Sequence, residues 1–437
     1  MRNFWSFFFS LSFLFAYDTL WFRLYDSGVS FGIEVDPSGN IVVCGQREAD
    51  ILLIKYSPSG EIIWSRIIDD EDRLFLSRLA IDKEGNIIVV SSYYRYPAEF
   101  GGYIVKCDNE GNILWIRKFP INWCGDLTCV VCDDSNNIIV AGDYAEGKED
   151  NEDEDEDDII LEDEENIILI KYSPNGNLIW TKRYDFGERV ENIRGLIKDR
   201  EGNIVGAGII GDGEYYDLLV VKFNKNGDTI WVSRIDFQPE DWGENVAVDS
   251  ANNIYVCGSS GFDTLYAFVV KYNQYGDTVW ARFYENYYSH GNAVSIDKLG
   301  NILVAGYAEE VRNIPNALLI KYSPFGDTIF SQLFNFSPDS GMWAEDMALI
   351  NDSNYIYITG TFRSGRNYNI YLMKLLYQPA ISEKVSCKIL FTLEDKTKEV
   401  YDITGKRIIF KEKIKPGIYF LKVKDKKNFL KVIIKSY

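Results

Sequence analysis

The side chains of this chain that could do chemistry are carboxylates set beside aromatic rings. Asp126, Glu240, Asp241 and Glu345 lie close in sequence to Trp123, Trp242 and Trp343, and further rings stand at Tyr93, Tyr94, Tyr215, Tyr216, Tyr266, Tyr287 and Tyr288. Ring faces next to hydrogen-bonding carboxylates suit a sugar or a peptide. Two carboxyl groups could also cleave a glycosidic bond, about 5–5.5 Å apart for retention or about 6.5–9.5 Å for inversion. We take Trp123, Trp242, Trp343, Tyr287, Tyr288, Asp241 and Glu345 as candidate binding residues, all read as loop positions. No catalytic residue, metal ligand or cofactor is assigned. The plainer alternative is that these rings cap the fold and pack on one another.

Other chemistries are excluded by what is scarce. His290 is the single histidine, which removes most zinc-hydrolase and Ser-His-Asp arrangements. Read as a loop residue without an identifiable partner, it is given no catalytic role. Seven irregularly spaced cysteines do not make a disulfide framework. Cys129 and Cys132, three apart on one strand, would point to opposite faces, which defeats a zinc knuckle. A bridge between Cys124 and Cys129 is an alternative to unpaired thiols. The net charge of −20 argues against a nucleic-acid partner, whose phosphates require a basic face.

The elements that must position the candidate residues are short strands that repeat. One unit reads Val246–Asp249, Asn253–Gly258, Phe268–Tyr272 and Gly276–Trp280, four β-rich runs separated by turns. Turns such as Asp36-Pro37-Ser38-Gly39-Asn40 and Asp82-Lys83-Glu84-Gly85-Asn86 use Gly and Asn, which accept positive φ. They lack the dense carboxylates of a calcium loop. The third run ends in lysine each time, at Lys55, Lys106, Lys171, Lys222, Lys271, Lys321 and Lys374, giving seven units. The fourth run is marked six times, by Trp64, Trp115, Trp180, Trp231, Trp280 and Phe330. The missing seventh is supplied by Asp18-Thr19-Leu20-Trp21-Phe22-Arg23, which has no unit before it. The expected fold is all-β, a seven-bladed β-propeller over 17–377 closed by its N-terminal strand. Trp231 and its counterparts are expected to pack between blades. Cys44, Val90, Ala141, Ala207, Cys257, Ala305 and Thr359 fill one small-residue slot.

The recurring Val-Asp-x-x-Gly-Asn-Ile-x-Val-x-Gly, followed by Lys-Tyr-x-x-x-Gly-x-x-x-Trp, resembles the SBBP repeat of seven-bladed propellers. That resemblance implies a fold and little about function. The Gly-x-x-x-Trp spacing, as at Gly60 to Trp64, is also similar to the docking motif of quinoprotein-type and BamB-like propellers. Those typically have eight blades, and no eighth unit is found.

Charge and composition mark three further segments. Residues 1–16 read as a signal peptide, with Arg2 before an apolar run from Phe4 to Phe15 and Ala16 at the cleavage point. An uncleaved anchor is the alternative. Residues 146–165 carry fourteen carboxylates and one lysine, an acidic insertion in the third blade expected to stay solvated or to bind cations or a basic partner loosely. From 378 to 437 the chain turns basic and reads as a small Ig-like β-sandwich. Five strands are expected there: Ser386–Leu393, Lys398–Asp402, Arg407–Lys411, Ile418–Val423 and Phe429–Ile434. Val400-Tyr401-Asp402-Ile403-Thr404-Gly405-Lys406, Lys415-Pro416-Gly417-Ile418-Tyr419-Phe420-Leu421-Lys422-Val423 and the ending Lys431-Val432-Ile433-Ile434-Lys435 resemble the C-terminal sorting domain of the type IX (Por) secretion system, with an ordinary basic Ig-like module contacting an acidic surface as the alternative. The resemblance implies recognition by an outer-membrane translocon.

Together these readings give an exported, monomeric binding or scaffold protein. It would sit at the surface of a Gram-negative-type bacterium or outside it, with no stable membrane span, and take a glycan, peptide or envelope partner. The alternatives are a polysaccharide hydrolase or lyase using paired carboxylates, and a BamB-like assembly scaffold.

Overall fold

The computed structural model describes residues 17–377, apart from 26, 97–98, 121–125, 146–164, 312, 336–339 and 350–354, together with four strands nearer the C-terminus. The expected signal peptide, Trp123, Cys124 and nearly all of the acidic insertion lie outside the described residues. Every described element is a strand. The chain divides into two compact units, Met1–Tyr377 and Gln378–Tyr437.

In the first unit the strands pair as antiparallel quartets. The first quartet, Val29–Val35, Ile41–Arg47, Asp50–Tyr56 and Ile62–Ile68, forms one four-stranded sheet. Three quartets between Leu127 and Phe283 join into a twelve-stranded sheet, but only through the single parallel pairs Glu165↔Val190 and Tyr216↔Glu240. The last sheet combines Gly341–Leu349, Tyr355–Ser364 and Asn367–Tyr377 with the N-terminal strand Tyr17–Tyr25. There Trp21 stands opposite Lys374, as Trp64 stands opposite Lys55 and Trp231 opposite Lys222. The N-terminal strand thus occupies a fourth-strand register.

Apolar cores lie between successive quartets. Burying each aliphatic side chain contributes roughly 1.5–3 kcal/mol. One cluster sets Val43, Leu52 and Ile54 of the first quartet against Tyr357, Ile370 and Leu372 of the last sheet. The slot residues Cys44, Val90, Ala141, Ala207, Cys257, Ala305 and Thr359 are all fully buried. Cys129 and Cys132 sit on one strand with free thiols and face different cores.

The repeated turns and tryptophans lock neighbours together. Asp36 Oδ1 accepts the Ser38 and Asn40 backbone N–H groups, and Asp36 Oδ2 accepts Asn40 Nδ2. Trp115 donates its indole N–H to the Pro174 carbonyl of the next quartet, and Arg117 donates to the Gly176 carbonyl. The same contacts join the last sheet to the first quartet, where Arg23 donates to the Gly60 carbonyl and Lys374 to the Pro58 carbonyl.

In the second unit, Glu399–Asp402, Arg407–Ile408, Gly417–Lys422 and Phe429–Ile434 form an antiparallel four-stranded sheet. These fall where four of the five strands were expected. Ser386–Leu393 lies outside the described residues.

Candidate functional site on the first strands

The first strand of each quartet stands at one edge of that quartet and packs against the first strands of the adjacent quartets. Gly341–Leu349 packs on Val29–Val35 in the same way as neighbours in sequence do. Each first strand also carries a β-bulge near its middle. The register shifts fall between Ser30 and Gly32, Ile193 and Gly195, Gly243 and Asn245, Gly291 and Ala293, and Ala344 and Asp346, with two more at the equivalent places. A bulge leaves one residue unpaired and re-aims its side chain. The residues inside these five shifts are Phe31, Arg194, Glu244, Asn292 and Glu345.

Strand alternation turns this into a lined face. On four successive first strands, half-buried positions alternate with buried ones. The half-buried set is Asn192 and Arg194, then Trp242 and Glu244, then Tyr288, His290 and Asn292, then Trp343 and Glu345. Arg194 Nη1 lies 2.8 Å from Glu244 Oε1. Asn292 Nδ2 donates to the Ala344 carbonyl at 2.9 Å and reaches Glu345 Oε2 at 3.4 Å. Asp346 Oδ2 accepts the Ile33 backbone N–H at 3.0 Å, and Arg78 donates to the Phe31 carbonyl at 2.7 Å.

Carboxylates crowd this face and lift one another's proton affinity. Burial pushes Glu345 up to about 7, with Glu244 and Asp346 adding to the effect and Arg78 opposing it. Burial likewise takes Asp346 to about 6 against the pull of Arg78 and two backbone N–H groups. Enclosure and the Asp346 charge raise Glu34 to about 8, an effect blunted by its access to water.

Aromatic groups flank the charges. The Arg194 guanidinium stacks on Trp242, 4.8 Å from the ring centroid, and Tyr216 meets that indole edge-on. Arg363 covers Trp343 at 5.5 Å. His290 Nε2 is 3.1 Å from the Tyr288 hydroxyl, and its ring stacks on Tyr307 with centroids 4.9 Å apart. Burial, then the Arg194 charge, lowers His290 to about 4, so it is neutral near pH 7.

Several expectations need correction. His290 is a strand residue with two partners, because Tyr307 stands directly opposite it on the paired strand. Trp242, Trp343, Tyr288 and Glu345 are strand residues as well. Asp241 is fully buried on the opposite side from Trp242. It accepts the Phe237 and Gln238 backbone N–H groups and so anchors the preceding loop. Glu191 does the same for Phe186 and Glu188. Tyr93 is buried as well, whereas Tyr287 is half-buried and donates to Glu310. Among the described residues, Asp217, Asp236 and Asp241 form the one carboxylate trio within 4.8 Å, and Arg234 already pairs with Asp217. Sequence reasoning missed Arg194, Glu244 and Asn292. Their signal was a polar residue at one repeat position, immediately before Gly195, Asn245 and Ala293.

The β-propeller repeat SBBP matches residues 230–264. Over 123 residues, 24% of this chain, the protein is 27% identical to an uncharacterised WD repeat-containing protein of Acanthamoeba polyphaga mimivirus, and the chain spans only 9% of that protein's length. Among solved structures, it resembles a polysaccharide lyase, an ulvan lyase, with a TM-score of 0.51, 12% identity, and 80% and 95% of the two chains covered. It also resembles a catalytically inactive virginiamycin B lyase from Staphylococcus aureus, with a TM-score of 0.50, 10% identity, and coverage of 81% and 98%. Such low identities speak to fold alone, and the fold they share with this chain is an all-β propeller.

Proposed function

We propose that this is an exported seven-bladed propeller that binds a neutral glycan on the half-buried face of its first strands. The observation that carries the reading is the alternation that places Trp242, His290 and Trp343 beside Arg194, Glu244, Asn292 and Glu345 on one face. Indole and imidazole rings offer stacking surfaces for sugar rings. A protonated Glu345 offers a hydrogen-bond donor to hydroxyl groups, and the Asn292 amide oxygen an acceptor. With Glu345 protonated, Glu244 and Asp346 stand against Arg78 and Arg194, so the face is close to neutral and suits an uncharged polymer. A glycan array probed with the full chain tests this. Binding of neutral oligosaccharides that is lost in Trp242→Ala is expected. A blank array, or undiminished binding by that variant, would refute it.

Seven blades are supported by the quartets and by the contacts joining Arg23 and Lys374 to the first quartet. Export rests on the leader at 1–16 and on the tail phrases that resemble a type IX sorting domain. Deleting 378–437 should leave the protein in the periplasm, and its continued arrival at the cell surface would overturn the sorting role.

A further inference from the structure

We propose that Asp217, Asp236 and Asp241 are the ligands of a calcium ion, at a site separate from the ligand face. Asp217 lies near the start of the strand Tyr216–Phe223, Asp236 follows the end of Thr229–Ile235, and Asp241 is near the start of Glu240–Val248. The Tyr216 N–H donates to the Pro239 carbonyl, which draws these elements together. One carboxylate oxygen from each residue lies within 4.8 Å of the other two. Oxygens that close can share one calcium ion, whose oxygen ligands sit about 2.3–2.6 Å away. Acidic groups also cluster where nothing binds, but here two buried atoms point to a ligand. Asp241 is fully buried, and its Oδ2 takes the Phe237 and Gln238 N–H groups, while its Oδ1 has no hydrogen-bond partner. Burial raises the Asp241 carboxyl, and the Ser260 hydroxyl, directly opposite on the paired strand, works against that. That hydroxyl is 1% exposed and faces the carboxylate without closing a hydrogen bond. Buried polar atoms are seldom left unpaired. A cation at Asp241 Oδ1 would satisfy that oxygen, with the Ser260 hydroxyl as a neutral donor beside it.

The same repeat positions in another quartet show an uncharged version. Asn316 precedes Lys321 as Asp217 precedes Lys222, and Asn335 follows Phe330 as Asp236 follows Trp231. Asn335 Nδ2 donates directly to Asn316 Oδ1 at 2.6 Å, and the fully buried Met342 stands where Asp241 does. Two carboxylates repel where two amides bond. Arg234 meets Asp217, but it also meets Glu188, so it brings one positive charge together with a further carboxylate. The group keeps a negative excess that a divalent cation would balance. Donors that are all oxygen, without histidine or thiolate, suit calcium rather than zinc.

The test is thermal unfolding and calorimetric titration of the full chain with calcium chloride, set against EGTA. Extracellular calcium modules bind at about 10⁻⁴–10⁻³ M, so about 5 mM calcium should raise the thermal midpoint. Sodium chloride of equal ionic strength should not, because it only screens charge. Asp236 is exposed, so Asp236→Asn probes the site without disturbing the core. In EGTA this variant should melt no lower than the wild type, because a like charge has been removed. In calcium it should melt below the wild type and bind the ion at least about tenfold more weakly, since affinity follows the charge of the ligands. Asp217→Asn should lose the calcium response as well. A wild type without a calcium-specific rise overturns the inference. So does a response kept in full by both variants, which would put the ion elsewhere on the chain. An Asp236→Asn midpoint equally far below the wild type with and without calcium also overturns it, because Asp236 would then be purely structural.

Discussion

Lys55 Nζ lies 2.8 Å from Asp36 Oδ2, and neither side chain is more than 3% exposed. The aspartate belongs to the turn between the first and second strands, and the lysine ends the third strand. The pair recurs as Lys106–Asp82, Lys171–Asp133, Lys222–Asp199 and Lys321–Asp297. In the quartet of Asp249 the Tyr255 hydroxyl takes the lysine's place at the carboxylate. The lysines also reach outward, Lys55 to the Asn109 carbonyl and Lys106 to the Pro174 carbonyl. One buried charge therefore ties a turn to its own sheet and to the next.

Breaking such a pair should cost more than the pair itself contributes. Lys106→Met leaves Asp82 buried without its counter-ion, and a loss of about 3–5 kcal/mol is expected. Adding Asp82→Asn should recover part of it, with a coupling of at least ~1 kcal/mol. Urea unfolding of the two single variants and the double variant measures this. Additive losses would mean that the two groups act independently.

Acid should weaken the propeller through these same aspartates. Burial alone would raise Asp82, but hydrogen bonds from Asn86 and Lys106 outweigh it and hold the carboxyl below its usual range. Asp36, Asp133, Asp199 and Asp297 are lowered in the same way, and Asp249 by Asn253, backbone N–H groups and the Tyr255 hydroxyl. A lowered folded pKa stabilises above the unfolded value of about 3.9 and is lost as pH falls through the folded one. Glu345 has the opposite sign, because its raised pKa costs stability as pH climbs from 4.5 through about 7. Glu345→Gln should therefore unfold at higher urea than wild type at pH 8, with the gain shrinking towards pH 5. An equal gain at both pH values would assign the effect to packing.

The glycine of the Gly-x-x-x-Trp motif serves the preceding unit's tryptophan. A Cβ on Gly276, whose φ is +92°, would stand 2.9 Å from the Trp231 ring, whereas one on Gly202, at φ +84°, meets nothing within 4 Å. Gly202→Ala should cost only the left-handed backbone penalty of roughly 1–2 kcal/mol. Gly276→Ala should cost clearly more, because the indole must also move. Equal shifts in thermal midpoint would show that the glycine–tryptophan contact is incidental.

Much of this architecture was legible because a repeat exposes what is constant. The lysines, the turn aspartates and the tryptophans recur at fixed spacing, and each marks a strand or a turn. Pairing between Lys55 and Asp36 was not legible, because nothing local says that a third strand's end meets the turn before the second. The site was hidden for a related reason. A bulge inserts one residue into the alternation, so Arg194, Glu244 and Asn292 look like irregularities in sequence. Glu345 was noticed through its nearness to Trp343. Nearness to Trp242 in sequence is misleading for Asp241, because adjacent residues of a strand face opposite sides.

The N-terminal strand offers the sharpest test of the proposed closure. From Tyr17 to Tyr25 it pairs along Asn367–Tyr377, puts Trp21 opposite Lys374, and packs Phe22 on Tyr371 with ring centroids 5.6 Å apart. Arg23 then reaches the first quartet at the Gly60 carbonyl, 2.9 Å away. Removing residues 18–26 strips the outer strand from the last sheet and one side of the contact to the first quartet. The exposed edge of Asn367–Tyr377 would then present unpaired backbone groups, an invitation to aggregate. We expect the truncated chain to melt at lower temperature and over a broader range than the intact one, and to self-associate. Calorimetry with light scattering reads both. A truncated chain that melts as sharply as the full one, and stays monomeric, would overturn the proposed closure by this strand.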